Sequence, residues 1–426
     1  MSILVTRIEV TGLFGRYDYC LELPSTSVHG SALLYGDNGS GKTSILRLLF
    51  HATAPHLQAG HRTHLLNQTF SSLSIHFSNG WRLIARREDG RLEGDYQLSL
   101  FGEEPGDQFT GKVRGTDRAV SRLPERIMRL LRRLQEFAPW VYLLADDRSL
   151  LTSHRARSID PPFGRRRYSG HLDEEPSAVD VQLANTLHST TSWLQTEYAQ
   201  GSSRGHQDAQ DIYAQIVSAI ECLSDDSASR AVSENDKDAL IEELDRLGRR
   251  SRNFAEWNLL PEFQPESFVK KIREVGPKHQ PLMREIIRSL IETQSARLNA
   301  LQSLKDVIQR FSIFVNGLLF HKSIVLDPRR GVVIVTEEDG KELEPSLLSS
   351  GEKQLLLLLC RFLVARSKPT LLLVDEPELS LNVKWQRQLV DMLLEMTSGQ
   401  STQFILATHS VELLAKHRDL LVQLRP

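Results

Sequence analysis

The amino-acid sequence predicts an α/β fold: a mixed, largely parallel sheet with antiparallel strands on its N-terminal side, interrupted by a helical insertion. Three patterns carry this. Alternating and short apolar runs separated by Gly-rich turns fill the first 150 residues, apolar residues at three-to-four spacing dominate the middle, and strands alternating with helices return in the last hundred. Residues 1–151 and 316–426 are therefore expected to be two halves of one head, and residues 152–315 a helical insertion.

In order, Ile3–Val10 and Tyr17–Leu23 alternate apolar and polar around a turn at Gly12 to Gly15. Ser31–Tyr35 is a short apolar run that leads into a Gly-rich loop and then a helical pattern, Ser44–Phe50. Asn79-Gly80 between Leu73–Phe77 and Trp81–Ala85 is a strong hairpin signal, because both residues tolerate positive φ. Arg118–Phe137 has the pattern of an amphipathic helix and Trp140–Leu144 that of an apolar strand. Residues 152–175 are rich in Ser, Pro, Gly and Arg, as an exposed loop would be. From Val179 to Leu319 the pattern is helical, and its longest stretch, Leu282–Val315, spaces Met283, Ile287, Leu290, Leu298, Leu301, Leu304, Ile308 and Phe311 along one face. Strands return at Ser323–Leu326 and Gly331–Val335.

A chain of 426 residues with 40% apolar and 25% charged residues has the composition of a folded multidomain protein. Its formal charge of −2 supplies no overall basic field for nucleic acid. Cys20, Cys222 and Cys360 are far apart and match no zinc or CxxC spacing, which fits reduced thiols in the cytoplasm. The apolar runs Leu355–Cys360 and Leu371–Val374 are much shorter than a membrane span, and the N-terminus lacks the apolar stretch of a secretion signal.

The most specific motif is Gly36-Asp37-Asn38-Gly39-Ser40-Gly41-Lys42-Thr43, a GxxxxGK[ST] loop after an apolar strand and before a helix. Glycines let backbone N–H groups converge on phosphate oxygens, and the helix start adds partial positive charge. Gly36, Asn38, Gly39, Ser40, Gly41, Lys42, Thr43 and Ser44 are thus candidate nucleotide-binding residues. Lys42 is placed to bridge the β- and γ-phosphates, and the Thr43 hydroxyl to ligate Mg²⁺. Thr370–Val374 is an unbroken apolar run that ends in Asp375 and Glu376, as a strand buried on both faces would end at a site. Asp375 is the candidate Mg²⁺ residue and Glu376 the candidate general base. Ser349 and Glu352 form a capping-box pattern at the start of a helix, Gly351–Ala365. Many helices begin that way without binding anything. The apolar run Phe404–Thr408 ends in a lone His409.

Together these motifs resemble the ABC-type ATPases. Leu348-Ser349-Ser350-Gly351-Glu352 looks like their signature, 24 residues ahead of Asp375 in the order that family uses. The resemblance covers about residues 1–150 and 315–426. It implies that ATP and Mg²⁺ lie between two chains, with Ser349, Gly351 and Glu352 of one facing the γ-phosphate held by the other, in a homodimer or higher homo-oligomer. It implies that His409 contacts the γ-phosphate or the attacking water, and that Glu378–Asn382 runs along the seam, with Asn382 a candidate contact to the opposite site. ABC heads place a Gln after the strand corresponding to Trp140–Leu144. Here Ala145-Asp146-Asp147-Arg148 follows, so either Asp147 is the polar and metal-sensing substitute or that residue lies elsewhere. The departure bears on hydrolysis rather than on nucleotide binding.

The LSSGEKQ and DEPELSLN stretches resemble the group that contains structural-maintenance-of-chromosomes and OLD-family ATPases, and the ATPase subunits of Septu-like and PARIS-like phage-defence systems. The chain ends 17 residues after His409, which leaves no room for the Toprim nuclease of OLD proteins. The resemblance therefore implies an ATPase that scaffolds or restrains a separate effector protein. The insertion is expected to be a compact helical lobe, too short for the long arms of chromosome-maintenance proteins. A DNA-repair or DNA-clamp ATPase is the alternative. A transporter subunit is disfavoured by the absent Gln, the Glu352-Lys353 signature and the insertion. Nucleic acid is a candidate partner through Arg129, Arg132, Arg133, Arg155, Arg157 and Arg165–Arg167, although nearby acids such as Asp173–Glu175 suit plain solvated faces as well. His51, His56, His61 and His64 cluster in sequence without the spacing of a standard zinc site.

Overall fold

The computed structural model describes residues 3–24, 30–55, 60–88, 90–104, 106–115, 124–145, 150–152, 177–223, 234–276, 279–365, 369–397 and 401–425. By packing the chain divides into two compact units, Met1–Asn185 with Leu348–Pro426, and Thr186–Leu347. The division falls later at both ends than the 152–315 insertion expected from composition.

The first unit contains two sheets. Strands β1 (Val5–Leu13) and β2 (Tyr17–Glu22) are followed by β3 (Ala32–Tyr35), helix α1 (Lys42–Thr53) and helix α2 (His61–Asn67). Then come β4 (Ser72–Phe77), β5 (Arg82–Arg86), β6 (Tyr96–Phe101), β7 (Gln108–Val113), α3 (Glu125–Phe137), β8 (Trp140–Leu144) and β9 (Leu150–Thr152). The antiparallel sheet has the order β2-β1-β4-β5-β6-β7. Its β4–β5 hairpin turns at Asn79-Gly80, where Gly80 has φ +80° and His76 pairs with Arg82. Strands β6 and β7 were not legible in sequence, since Gln97, Ser99, Thr110 and Gly111 interrupt their apolar pattern. Gly111 has its own reason: a Cβ there would lie 2.5 Å from Cδ1 of Ile127, so α3 can approach β7 only over a glycine.

After the second unit the chain returns through α8 (Ser350–Ala365), β12 (Thr370–Asp375), α9 (Val383–Thr397), β13 (Thr402–Thr408), α10 (Val411–Leu414) and β14 (Leu421–Gln423). The second sheet has the order β14-β3-β13-β12-β8-β9, parallel except for β9. All residues of β12 and β13 are buried, which is why their central parts, Leu371–Val374 and Phe404–Ala407, read as continuous apolar runs rather than alternating ones. One core spans both sheets and includes Ile8, Leu34, Ile45, Leu49, Phe70, Leu98, Leu371 and Ile405.

The helix α4 (Ala178–Leu223) starts in the first unit. The second unit holds its remainder, α5 (Glu234–Ala255), α6 (Glu266–Glu274), α7 (Gln280–Asn316) and the antiparallel hairpin β10 (Lys322–Asp327) and β11 (Gly331–Thr336). It is built on two long helices, α7 of 37 residues and most of α4, a helix of 46 residues. They run antiparallel. A Cβ on Gly201 would meet Leu301 Cδ2 at 2.6 Å, and one on Gly205 would meet Arg297 Cα at 3.0 Å, so two glycines one turn apart let the backbones close up. Leu240, Leu244, Ile272 and Ile287 form a smaller core among α5, α6 and α7. No helix among the described residues is long and apolar enough to cross a membrane.

Candidate functional site

Strand order brings the motifs together. β3 pairs with β13, and β13 with β12, all parallel, so their C-terminal ends share one edge of the sheet. Tyr35 is in register with Thr408, and Ala407 with Asp375. The loop beginning at Gly36, the carboxylates Asp375 and Glu376, and His409 therefore leave three adjacent strands at nearly the same level. Asp375 is buried, Glu376 and Thr43 are half-buried, and Asn38, Gly39 and His409 are exposed.

The loop is shaped as an anion cradle. Gly39 and Gly41 have φ of +83° and +90°, conformations that an L side chain resists. Ile45 N–H donates to Gly41 O (2.9 Å), closing the first turn of α1. That helix start has no side-chain cap and no acidic residue in its first turn, so its free N–H groups and its dipole are open to a negative ligand. Lys42, 5% exposed, lies back over the loop and donates from Nζ to Gly36 O (2.8 Å) and Asp37 O (3.0 Å). The buried Tyr19 hydroxyl holds the loop from behind through Ser40 O (2.7 Å), while the buried Ser40 Oγ has no hydrogen-bond partner among the described residues. A loop of this kind fits the phosphates of a nucleotide. No group of three or more His, Cys, Asp or Glu among the described residues could cage a metal by itself. Thr43 and Asp375 fit Mg²⁺ differently, since that ion commonly takes one or two protein oxygens together with substrate phosphates.

One residue of this rim escaped sequence reasoning. Phe14 is 46% exposed, has φ +56°, and its N–H donates to Thr69 O (3.1 Å). A Cβ on Gly41 would sit 3.3 Å from Phe14 Cε2 and 2.7 Å from Leu13 Cδ2, so the aromatic ring borders the cradle. An exposed aromatic held in left-handed backbone is a ready stacking face for a planar base. The signal lay in Gly12-Leu13-Phe14-Gly15, which reads as an ordinary turn.

At the end of β12, Glu376 has φ +46°, unusual for a non-glycine residue, and its N–H donates to Ala407 O (2.8 Å). The backbone thus turns sharply as it leaves the strand. Nδ1 of His409 lies 3.6 Å from Glu376 Oε1 and 3.5 Å from Glu378 Oε1. Glu378 is only 5% exposed, and its Oε1 accepts from Thr408 Oγ1 (2.5 Å), His409 N (3.0 Å) and Ser410 N (3.2 Å).

The second helix start is built otherwise. Ser349 N–H donates to Glu352 Oε2 (2.7 Å) and Glu352 N–H to Ser349 Oγ (3.3 Å), a complete capping box opening α8. Gly351 is required by packing as well: a Cβ would lie 2.8 Å from Ser380 O. The start of α8 and the loop after β12 therefore touch within one chain, with Ser380 at φ +64°. Lys353 reaches Asp180 in the first turn of α4 (2.7 Å), and this ion pair together with the Ser177 hydroxyl holds the Asp180 carboxyl below its ordinary range. Asn382 caps α9 through Trp385 N (2.9 Å).

Asp147 and Arg155, Arg157 and Arg165–Arg167 lie outside the described residues, as does His56. On α3, Arg129 pairs with Glu125 and Arg133 with Glu136. The other three histidines do meet, but as a buried corner rather than a metal site. His51 Nδ1 is 3.0 Å from His61 Nδ1 and its ring stacks on His64 at 3.7 Å. Burial, reinforced by the neighbouring His64 and His61, pushes the His51 pKa down to about 2.

Residues 223–415, fewer than half of the chain, match the family model described as "AAA domain, putative AbiEii toxin, Type IV TA system". The chain is similar to the "Putative ABC transporter ATP-binding protein" of Bacillus cereus, 43% identical over 18% of this chain and 14% of that one. It is also 37% identical to the lipoprotein-releasing system ATP-binding protein LolD of Hydrogenovibrio crunogenus over 17% of this chain and 30% of that one. The chain thus spans less than a third of these relatives' lengths. Among solved structures, the Smc head domain with an extended coiled coil bound to the C-terminal domain of ScpA, from Pyrococcus furiosus, aligns at a TM-score of 0.40 and 15% identity, over 99% of this chain and 95% of that one. The fold is α/β, with one antiparallel six-stranded sheet, one six-stranded sheet parallel except for β9, and a largely helical unit inserted between the two sequence halves.

Proposed function

We propose that this chain binds Mg-ATP between two copies of itself and hydrolyses it, and that the resulting assembly scaffolds or restrains a separate effector in anti-phage defence in the cytoplasm. One observation carries the enzymatic part: the phosphate cradle, Asp375 with Glu376, and His409 leave three neighbouring parallel strands in register.

The roles follow from position. Lys42 turns from Gly36 O and Asp37 O to the β- and γ-phosphate oxygens, an exchange of neutral acceptors for charged ones. Phe14 stacks on the base. Glu376, half-buried, takes the proton of the attacking water, and His409 beside it orients that water or the γ-phosphate. Thr43 and Asp375 hold Mg²⁺, which when bound neutralises charge on the phosphate oxygens. Ser349 and Gly351 of the second copy close the site, and the helix dipole of α8 favours the anion there. Glu352 keeps that helix start in shape through its bond to Ser349 N–H. The defence setting draws support from the family description that matches residues 223–415, which names a putative AbiEii toxin.

The test is phosphate release with Mg-ATP. Glu376→Gln is expected to lower turnover by about 10²- to 10³-fold while nucleotide still binds, and to accumulate an ATP-dependent dimer visible by light scattering. Equal turnover of the variant and the wild type removes Glu376 as base, and a wild type that neither binds nor hydrolyses ATP overturns the whole proposal. Co-purification with the product of an adjacent gene, dependent on ATP, tests the effector.

A further inference from the structure

We infer that Glu378 is a positioning residue, whose buried carboxylate sets the direction of His409 and ties it to the loop that follows β12. The inference rests on the roles proposed above for Glu376 and His409.

A carboxylate this deeply buried is costly unless donors surround it. Here three donors come from three consecutive residues, the Thr408 hydroxyl and the backbone N–H groups of His409 and Ser410, and all converge on Oε1. Three bonds to one atom define the path of the chain as it leaves β13, and so the direction in which the exposed His409 ring projects. Oε2 is buried without a hydrogen-bond partner among the described residues, so the arrangement favours one oxygen at the expense of the other.

The other half of the link is Gln386 on α9. Its Nε2 donates to Leu381 O (2.9 Å) and Glu378 O (3.4 Å), and its Oε1 accepts from Ser410 Oγ (2.9 Å). Ser410 N–H also donates to Thr408 Oγ1 (2.9 Å). A closed ring of bonds thus runs from Glu378 through residues 408–410 to Gln386 and back to residues 378–381. The same loop presents Ser380 O to Gly351 at the start of α8. A displacement of Glu378 would move His409 relative to Glu376, now 3.6 Å away, and would shift the loop that supports the signature helix.

The experiment compares Glu378→Ala, Glu378→Gln and Thr408→Val for Mg-ATP turnover and for equilibrium binding of a fluorescent ATP analogue, with thermal melting to confirm folding. Misplacing a reacting group by about 1 Å can cost on the order of 10²-fold. Glu378→Ala is expected to lose about that much turnover with nucleotide affinity unchanged. Glu378→Gln keeps an acceptor at Oε1 and is expected to stay within roughly threefold of wild type, and Thr408→Val, which removes one of three donors, to lose about threefold to tenfold. If Ala turns over like the wild type, if it loses affinity as much as turnover, or if Gln is as impaired as Ala, the inference is wrong. A wild type without turnover overturns it together with the proposed function. Turnover in the wild type that Glu378→Ala shares overturns it alone.

Discussion

The chain opens α1 and α8 from glycine-containing loops, and it does so by opposite means. The start of α1 is left bare: positive-φ glycines, no side-chain cap, no acid in the first turn, and a lysine folded over the mouth. The start of α8 is capped within the chain, with the N–H groups of Ser349 and Glu352 engaged by each other's side chains and its glycine pressed against Ser380 O. A bare helix start leaves its N–H groups to water or to a negative ligand, and α2 also starts bare at Gly60. It is therefore the lysine folded over two positive-φ glycines that makes the start of α1 fit phosphate. A capped one is stable alone, and its form is explained by packing whether or not a second chain meets it. The contrast shows why a loop motif can identify a site while a capping motif identifies only a helix.

Substitutions can break that contrast. The largest effect is expected at Gly41→Ala, where left-handed backbone and contact with Leu13 oppose any Cβ. Nucleotide binding should fall by tenfold or more, with about 1–2 kcal/mol of stability lost to backbone strain alone. Isothermal titration with ATP and a thermal melt check it, and unchanged binding would mean that the cradle does not depend on that backbone. Gly351→Ala sharpens the comparison. Its Cβ would strike a backbone oxygen, so about 1–3 kcal/mol should be lost without any nucleotide, as overpacking costs elsewhere. Full stability with loss of ATP-driven dimerisation would instead make phosphate approach the reason for the glycine.

A third test uses the opposite end of α1, where His51 is buried against His61 and His64. Its folded pKa, pushed down to about 2, lies below the ordinary value of 6.5, so the unfolded chain takes up a proton that the folded chain refuses. Stability from this site is complete above about pH 6.5 and is lost as the pH falls below it, by up to about 1.4 kcal/mol per pH unit. Denaturation midpoints from pH 7.5 to 5.5 should fall less steeply in His51→Leu than in wild type, and equal slopes would place the proton elsewhere. The smallest effect is expected for Ser349→Ala, about 1 kcal/mol from the lost cap, read from the urea midpoint.

The sequence alone marked the four central strands of the parallel sheet and the glycine-rich loop that follows the first of them. Burial on both faces favours the apolar runs Leu371–Val374 and Phe404–Ala407, and a phosphate cradle demands glycines at set intervals beside a lysine. Such constraints act between near neighbours in the chain and so leave a local pattern. The contacts of Glu378, Phe14 and Gly351 could not be read there, because each depends on a partner brought from far away: Thr408 and Ser410 for the first, Gly41 for the second, Ser380 for the third. The antiparallel closure of α4 and α7 over Gly201 and Gly205 is of the same kind, as two glycines in a long helix mean little until a second backbone lies against them. Tertiary structure decided these, since contact between residues distant in sequence is set by the packing of whole elements.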